Sequence, residues 1–172
     1  MVFISASFIA CDNEPSLQEY YVEKQNSNEF IALDLPASIV SLNENSSAET
    51  KETMASIKKL NILAYKRNDS IDNTYTVEYK KVKDILKNEK YTELIRMNHN
   101  GANIIIKYLG TAEAIDEIIL FGADKSKGFI LARILGDHMK PEKMIKLAQN
   151  MNELDSKNGA FSQIEGLLGE FN

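Results

Sequence analysis

Two imidazoles, one thiol and 25 acidic side chains are the material from which a catalytic or metal site in this sequence would have to be built. His99 lies within Asn98-His99-Asn100-Gly101, a turn sequence in which an imidazole is exposed and unpartnered. His138 belongs to a second group, Asp137-His138-Lys140-Glu142, whose donors are of the kinds that ligate cations. No His-x-x-x-His or His-Glu-x-x-His spacing accompanies either imidazole, so the paired ligands of a helix-borne zinc centre are missing. The second group reads more simply as a helix start. Asp137 would accept from free backbone N–H groups, and Glu142 would sit at the positive end of the helix dipole. A dispersed acid–base site would need Asp34, Asp116 and Glu117 to converge in one concavity. The sequence has no Gly-x-Ser-x-Gly elbow, and no Gly-x-Gly-x-x-Gly or P-loop pattern. The expectation is therefore no catalytic residue, no cofactor and no metal.

The single cysteine rules out, by count, an intrachain disulfide and a multi-thiolate zinc site. Cys11 closes an uncharged apolar run, Val2 to Ala10, and Asp12-Asn13-Glu14-Pro15 follows at once. Such an abrupt change after a small residue is how the end of a secretory signal reads. Phe8-Ile9-Ala10-Cys11 resembles the bacterial lipobox, in which a diacylglycerol is joined to the cysteine sulfur and the chain is cut before it. Acyl chains on the new N-terminus would bury about 0.8 kcal/mol per CH₂ in a bilayer, so two or more chains anchor stably. Phe8 stands where Leu is usual, and no Lys or Arg precedes the apolar run. Residues 1–10 are thus expected to be the remnant of a signal peptide whose basic beginning lies upstream. The other reading makes residues 2–9 a buried first strand and Cys11 a small core side chain.

On the lipoprotein reading, Cys11 is the lipidation site and residues 11–16 are a tether. Residues 17–155 then form one domain and 156–172 a tail, all held at the cell envelope, on the periplasmic face or at the outer membrane. A length of 172 residues suits one domain with a real core. With Lys+Arg 20 against Asp+Glu 25, the net charge is -5, and nucleic acid is not an expected partner because phosphate contacts need a basic footprint. No apolar run approaches the roughly 18 residues of a spanning helix. The expected partners are a membrane, through the anchor, and an envelope protein.

The elements follow from apolar spacing. Leu17, Tyr20 and Tyr21 share a helical face behind Pro15-Ser16, which predicts a short helix to about Lys24. Residues 29–35 alternate as a strand stopped by Pro36, and Ile39, Val40 and Leu42 suggest a short helix after it. Asn43 to Thr50 reads as an exposed loop leading into another helix. Leu60, Ile62 and Ala64 alternate with Leu63 and Tyr65, a strand with two apolar faces. Tyr75, Tyr79, Val82, Ile85 and Leu86 form the clearest amphipathic stripe, with Lys80, Lys81, Lys83 and Lys87 opposite. That lysine face reads as solvated surface, its other use being contact with anionic headgroups. Asn100-Gly101 between two apolar runs predicts a hairpin. A second hairpin spans Ile115 to Phe121 and Phe129 to Leu135, closed by Gly136-Asp137. Pro141 opens a helix with Met144, Leu147, Ala148 and Met151 inward. The tail carries an apolar patch at Phe161, Ile164, Leu167 and Leu168. This order predicts an α+β fold, an antiparallel sheet with helices packed on one face and a C-terminal helix.

Several stretches resemble the family called domain of unknown function 4252, found in small lipoproteins of the Bacteroidota. They are Leu17 to Glu23, Phe30 to Pro36, Ile57 to Leu63, and Phe129 to Asp137 with the helix after it. The similarity spans roughly Ser16 to Met151. It implies export, a lipidated Cys11 and an uncharacterised domain, and it carries over no other residue. The leading functional expectation is a lipid-anchored, non-catalytic interaction or ligand-binding module. The alternatives are an envelope enzyme using dispersed carboxylates and a component of envelope signalling.

Overall fold

The computed structural model describes residues 15–67, 73–99 and 101–149, together with Gly166. In chain order these form α1 (Leu17–Lys24), β1 (Phe30–Pro36), a 3-10 turn (Ala37–Ile39), α2 (Ala48–Ser56) and β2 (Ile57–Lys66). There follow α3 (Asn73–Ile85), β3 (Thr92–His99), β4 (Ala102–Gly110), β5 (Ile115–Asp124), β6 (Gly128–Met139) and α4 (Pro141–Gln149). The strands make one sheet in the order β1-β2-β6-β5-β4-β3, every neighbouring pair antiparallel. The predicted α+β class, antiparallel sheet and C-terminal helix are all present.

Local chemistry explains the boundaries. Ser16, last residue of the expected tether, caps α1: its hydroxyl accepts from the Glu19 N–H, and the Glu19 carboxylate accepts from the Ser16 N–H in return. Ser47 caps α2 by accepting from the Thr50 N–H. The β3–β4 hairpin forms at the predicted Asn-Gly turn, where Gly101 takes a φ of 88° that other residues resist. After Pro36 there is only a single 3-10 turn.

Alternation along the strands gives the sheet two unlike faces. The first carries Phe30, Leu63, Tyr65, Ile119, Phe121, Phe129 and Leu131, and α1 and α3 cover it with Leu17, Tyr20, Tyr21, Tyr75, Val82 and Ile85. Rings dominate here. Tyr65 stacks on Phe129 at 5.5 Å between centroids, and Phe30 meets Tyr65 edge-on at 5.3 Å. Against the opposite face lie α2 and α4, where Met144 and Leu147 join Ile115, Ile118 and Met139 in a smaller cluster. Ile62 and Ala64 pack with Ile31, Leu33, Leu60, Ile130 and Ala132 in a third, on that same face.

One boundary differs from expectation. β6 does not close at Gly136-Asp137 but runs on to the fully buried Met139, which pairs with Ile115. The register skips between Ile115 and Glu117, so residues 136–138 bulge, and His138 takes a φ of 52°. Gly136 marks close packing instead of a strand end: a Cβ there would lie 2.4 Å from the Ser56 carbonyl oxygen. Asp137 is consequently not the cap of α4.

Candidate functional site

The residues singled out for chemistry do not come together. Asp34 lies at the sheet edge, paired with Lys59 at 2.7 Å. Glu117 is buried on the face covered by α1 and α3, where Arg133 binds it through Nε at 2.6 Å and Nη2 at 3.1 Å. Asp116, the residue before it on β5, falls at the register skip between Ile115 and Glu117 and is exposed. Asp137 is engaged by Lys58 at 3.3 Å and by His138 Nδ1 at 2.5 Å, which together hold its carboxyl below the usual range. No group of three or more potential metal ligands occurs among the described residues. His99 ends β3, and its side chain lies outside the described residues, as do Cys11 and the apolar patch of the tail.

Charged groups that are buried serve the fold. Glu78, on α3, accepts from the Tyr20 hydroxyl at 2.9 Å, from Lys24 at 3.1 Å and from Lys81 at 3.0 Å. Burial alone would push its carboxyl up. The bonds from Lys81, Lys24 and Tyr20 outweigh that and hold it below its ordinary value. Tyr20 is pushed far up by burial and by the Glu78 charge beside it. The lysine face of α3 is partly engaged: Lys81 binds Glu78, Lys87 binds Asp84 at 2.7 Å, and Lys83 lies 5.4 Å from the centre of the Tyr79 ring.

The concavity with a distinct chemistry is on the opposite face of the sheet. It is a cleft of about 390 Å³ between the strands and α4. Its floor is Leu60 of β2, Ala132 and Ile134 of β6, and Ile115, Ile118 and Leu120 of β5. Ile106 of β4 and Leu94 and Ile95 of β3 extend it toward the sheet edge, and Pro141, Met144 and Ile145 of α4 form its wall. Every described lining residue is apolar. Leu94, Ile95, Leu120 and Ile145 are 36–45% exposed, and Met97, on the same face of β3, is 42% exposed. These are five of the seven large apolar side chains left exposed among the described residues, so the exposure is gathered, not scattered.

Register explains the gathering. Ile95 faces Ile106 across the β3–β4 pair, and Ile106 faces Leu120 across β4–β5, which aligns their side chains on one surface. α4 shields only one end of that surface. Sequence reasoning placed Met144 and Leu147 inward and left Ile145 unexplained. An apolar residue off the core stripe was the available signal. A second, smaller concavity of about 270 Å³, lined by Arg67, Tyr75, Tyr79 and Lys125 among others, mixes charged and aromatic side chains, with the Arg67 guanidinium 5.2 Å from the centre of the Tyr75 ring.

Residues 20–147 match the model of the family described as Domain of unknown function (DUF4252). The chain belongs to the DUF4252 family. The match takes in every strand, the aromatic cluster and nearly all of α4, so the cleft lies inside the DUF4252 domain. Neither a curated protein nor a solved structure matches the chain. No helix of the described DUF4252 domain is long and apolar enough to cross a membrane.

Proposed function

We propose that the DUF4252 domain is a non-catalytic binding module that takes an acyl chain in the sheet cleft, and that a lipid on Cys11 holds it at the cell envelope. The observation that carries the first part is the lining: twelve described side chains, none of them polar, around about 390 Å³ of open space. That volume falls within the usual range of small-molecule sites. A reacting substrate needs positioned polar groups. An aliphatic guest needs only to leave water, at roughly 25 cal/mol for each Å² buried. Asp34 on the edge strand β1 lies three strands from Asp116 and Glu117 on β5, and Glu117 is buried and held by Arg133, which also favours binding over acid–base chemistry. The anchor rests on the run from Val2 to Ala10 ahead of Cys11. A domain tethered beside a bilayer has acyl chains as its nearest apolar ligands.

Two measurements test this. Intact mass and fractionation of the wild type against Cys11→Ala should show acyl mass and membrane association in the first and neither in the second; an unmodified thiol in the soluble wild type would overturn the anchor. Titration with cis-parinaric acid should give saturable fluorescence that Leu120→Glu weakens at least tenfold. Turnover of any substrate in a hydrolase and transferase panel would overturn the non-catalytic reading.

A further inference from the structure

The described chain leaves α4 at Gln149, and α4 is itself the wall of the cleft. The α4 residues on the cleft are Pro141, Met144 and Ile145, so the 23 residues that follow Gln149, 150–172, start roughly one helical turn beyond the cleft wall. We propose that this C-terminal segment is the cleft's resident occupant, laid along it as a helix through Phe161, Ile164, Leu168 and Phe171. The proposal rests on the reading of the cleft as an apolar binding site and names what fills it when no external guest does.

Three observations support it. The four side chains recur at intervals of three, four and three, which places them on one helical stripe, with Leu167 at its margin. Ser162, Gly166, Gly169 and Glu170 fall on the other side, and Glu165 lies at the opposite margin from Leu167. Gly166 is helical and exposed, and a Cβ added there would meet nothing within 4 Å. On a helical wheel position 166 lies opposite the stripe, as a helix resting on its apolar side requires. Finally, Gly166 and Gly169 are poor helix formers, and so short a helix is marginal alone in water. A helix here would need a surface to pack on. Reach is not limiting, because the eleven residues 150–160 can span up to about 36 Å, more than the width of a six-stranded sheet.

A second copy of the chain is the rival occupant, and one experiment separates the two. Full chain carrying Cys11→Ala, Leu120→Cys and Ile164→Cys is oxidised mildly, beside a control in which Ser162→Cys replaces Ile164→Cys. The expected result is a disulfide within one chain, formed at least fivefold faster than in the control. No link, equal rates, or a link only between chains overturns the proposal, the last assigning the cleft to a second copy. The same full chain with Phe161→Ser, Ile164→Ser and Leu168→Ser is titrated with cis-parinaric acid. Affinity should rise at least fivefold over the parent. A link without probe binding in either form upholds the occupant and removes the acyl-chain reading. Equal probe binding without a link does the reverse.

Discussion

The Arg133 guanidinium and the Glu117 carboxylate meet side by side on the sheet face covered by α1 and α3, Nε to Oε1 at 2.6 Å and Nη2 to Oε2 at 3.1 Å. Both side chains are almost inaccessible, 3% and 8% exposed. The remaining Arg133 Nη1 donates to Gln18 at 2.8 Å, so the pair ties β5 and β6 to α1. Desolvating two charges is costly, and a forked, fully bonded geometry is what offsets it. Removing one partner leaves the other buried and unpaired. Glu117→Ala or Arg133→Ala should each destabilise the domain by about 3–5 kcal/mol in urea unfolding. The double replacement Glu117→Leu with Arg133→Met should recover most of that. A single variant losing under about 1 kcal/mol would show the pair to be dispensable.

Acid should act through Glu78. Its folded pKa lies below the ordinary 4.5, so its contribution to stability is complete above that pH and is lost as pH falls through the folded value. Unfolding midpoints measured from pH 7 down to pH 3 should therefore decline below about pH 4.5. Glu78→Gln should start lower and decline less steeply over the same window. Parallel curves for the two proteins would assign the acid sensitivity elsewhere.

Adjacent residues on β5 should respond in opposite ways. Ile119 is fully buried beneath α1 and α3, and Ile119→Ala should cost about 2–5 kcal/mol through the cavity it leaves. Leu120 faces the cleft at 39% exposure, and Leu120→Ser should change stability by less than about 1 kcal/mol. Equal losses at both positions would mean that Leu120 is packed.

Gly128 is required where β6 begins. Its φ is +126°, and a Cβ would stand 1.9 Å from the Tyr65 carbonyl oxygen. Gly128→Ala must move β2 away from β6 or adopt a strained backbone, and should cost at least about 2 kcal/mol. Thermal unfolding reads this directly, and an unchanged midpoint would refute it.

Much of the scaffold was legible because its signals are local. Leu60, Ile62 and Ala64 alternate with Leu63 and Tyr65 as period two demands, and the Asn-Gly turn fixes the β3–β4 register. The stripe from Tyr75 to Ile85 needed only helical spacing. The end of β6 was misread because Gly136-Asp137 carries the local chemistry of a stop, while the decisive contacts, Ser56 and Ile115, lie far away in sequence. The cleft was invisible for a related reason. Leu94, Ile95 and Leu120 look like any strand residues, and alternation says which side chains share a face without saying whether anything covers it. Only the placement of α4 over one end decides that.

The apolar lining also fixes how occupancy should register calorimetrically. With no ionisable side chain among the described lining residues, association there should be indifferent to buffer protonation and to ionic strength. Its mark should instead be a negative heat-capacity change, so that the binding enthalpy grows more favourable with each degree of warming. Guests would be sorted by girth and length, with little regard for their head groups.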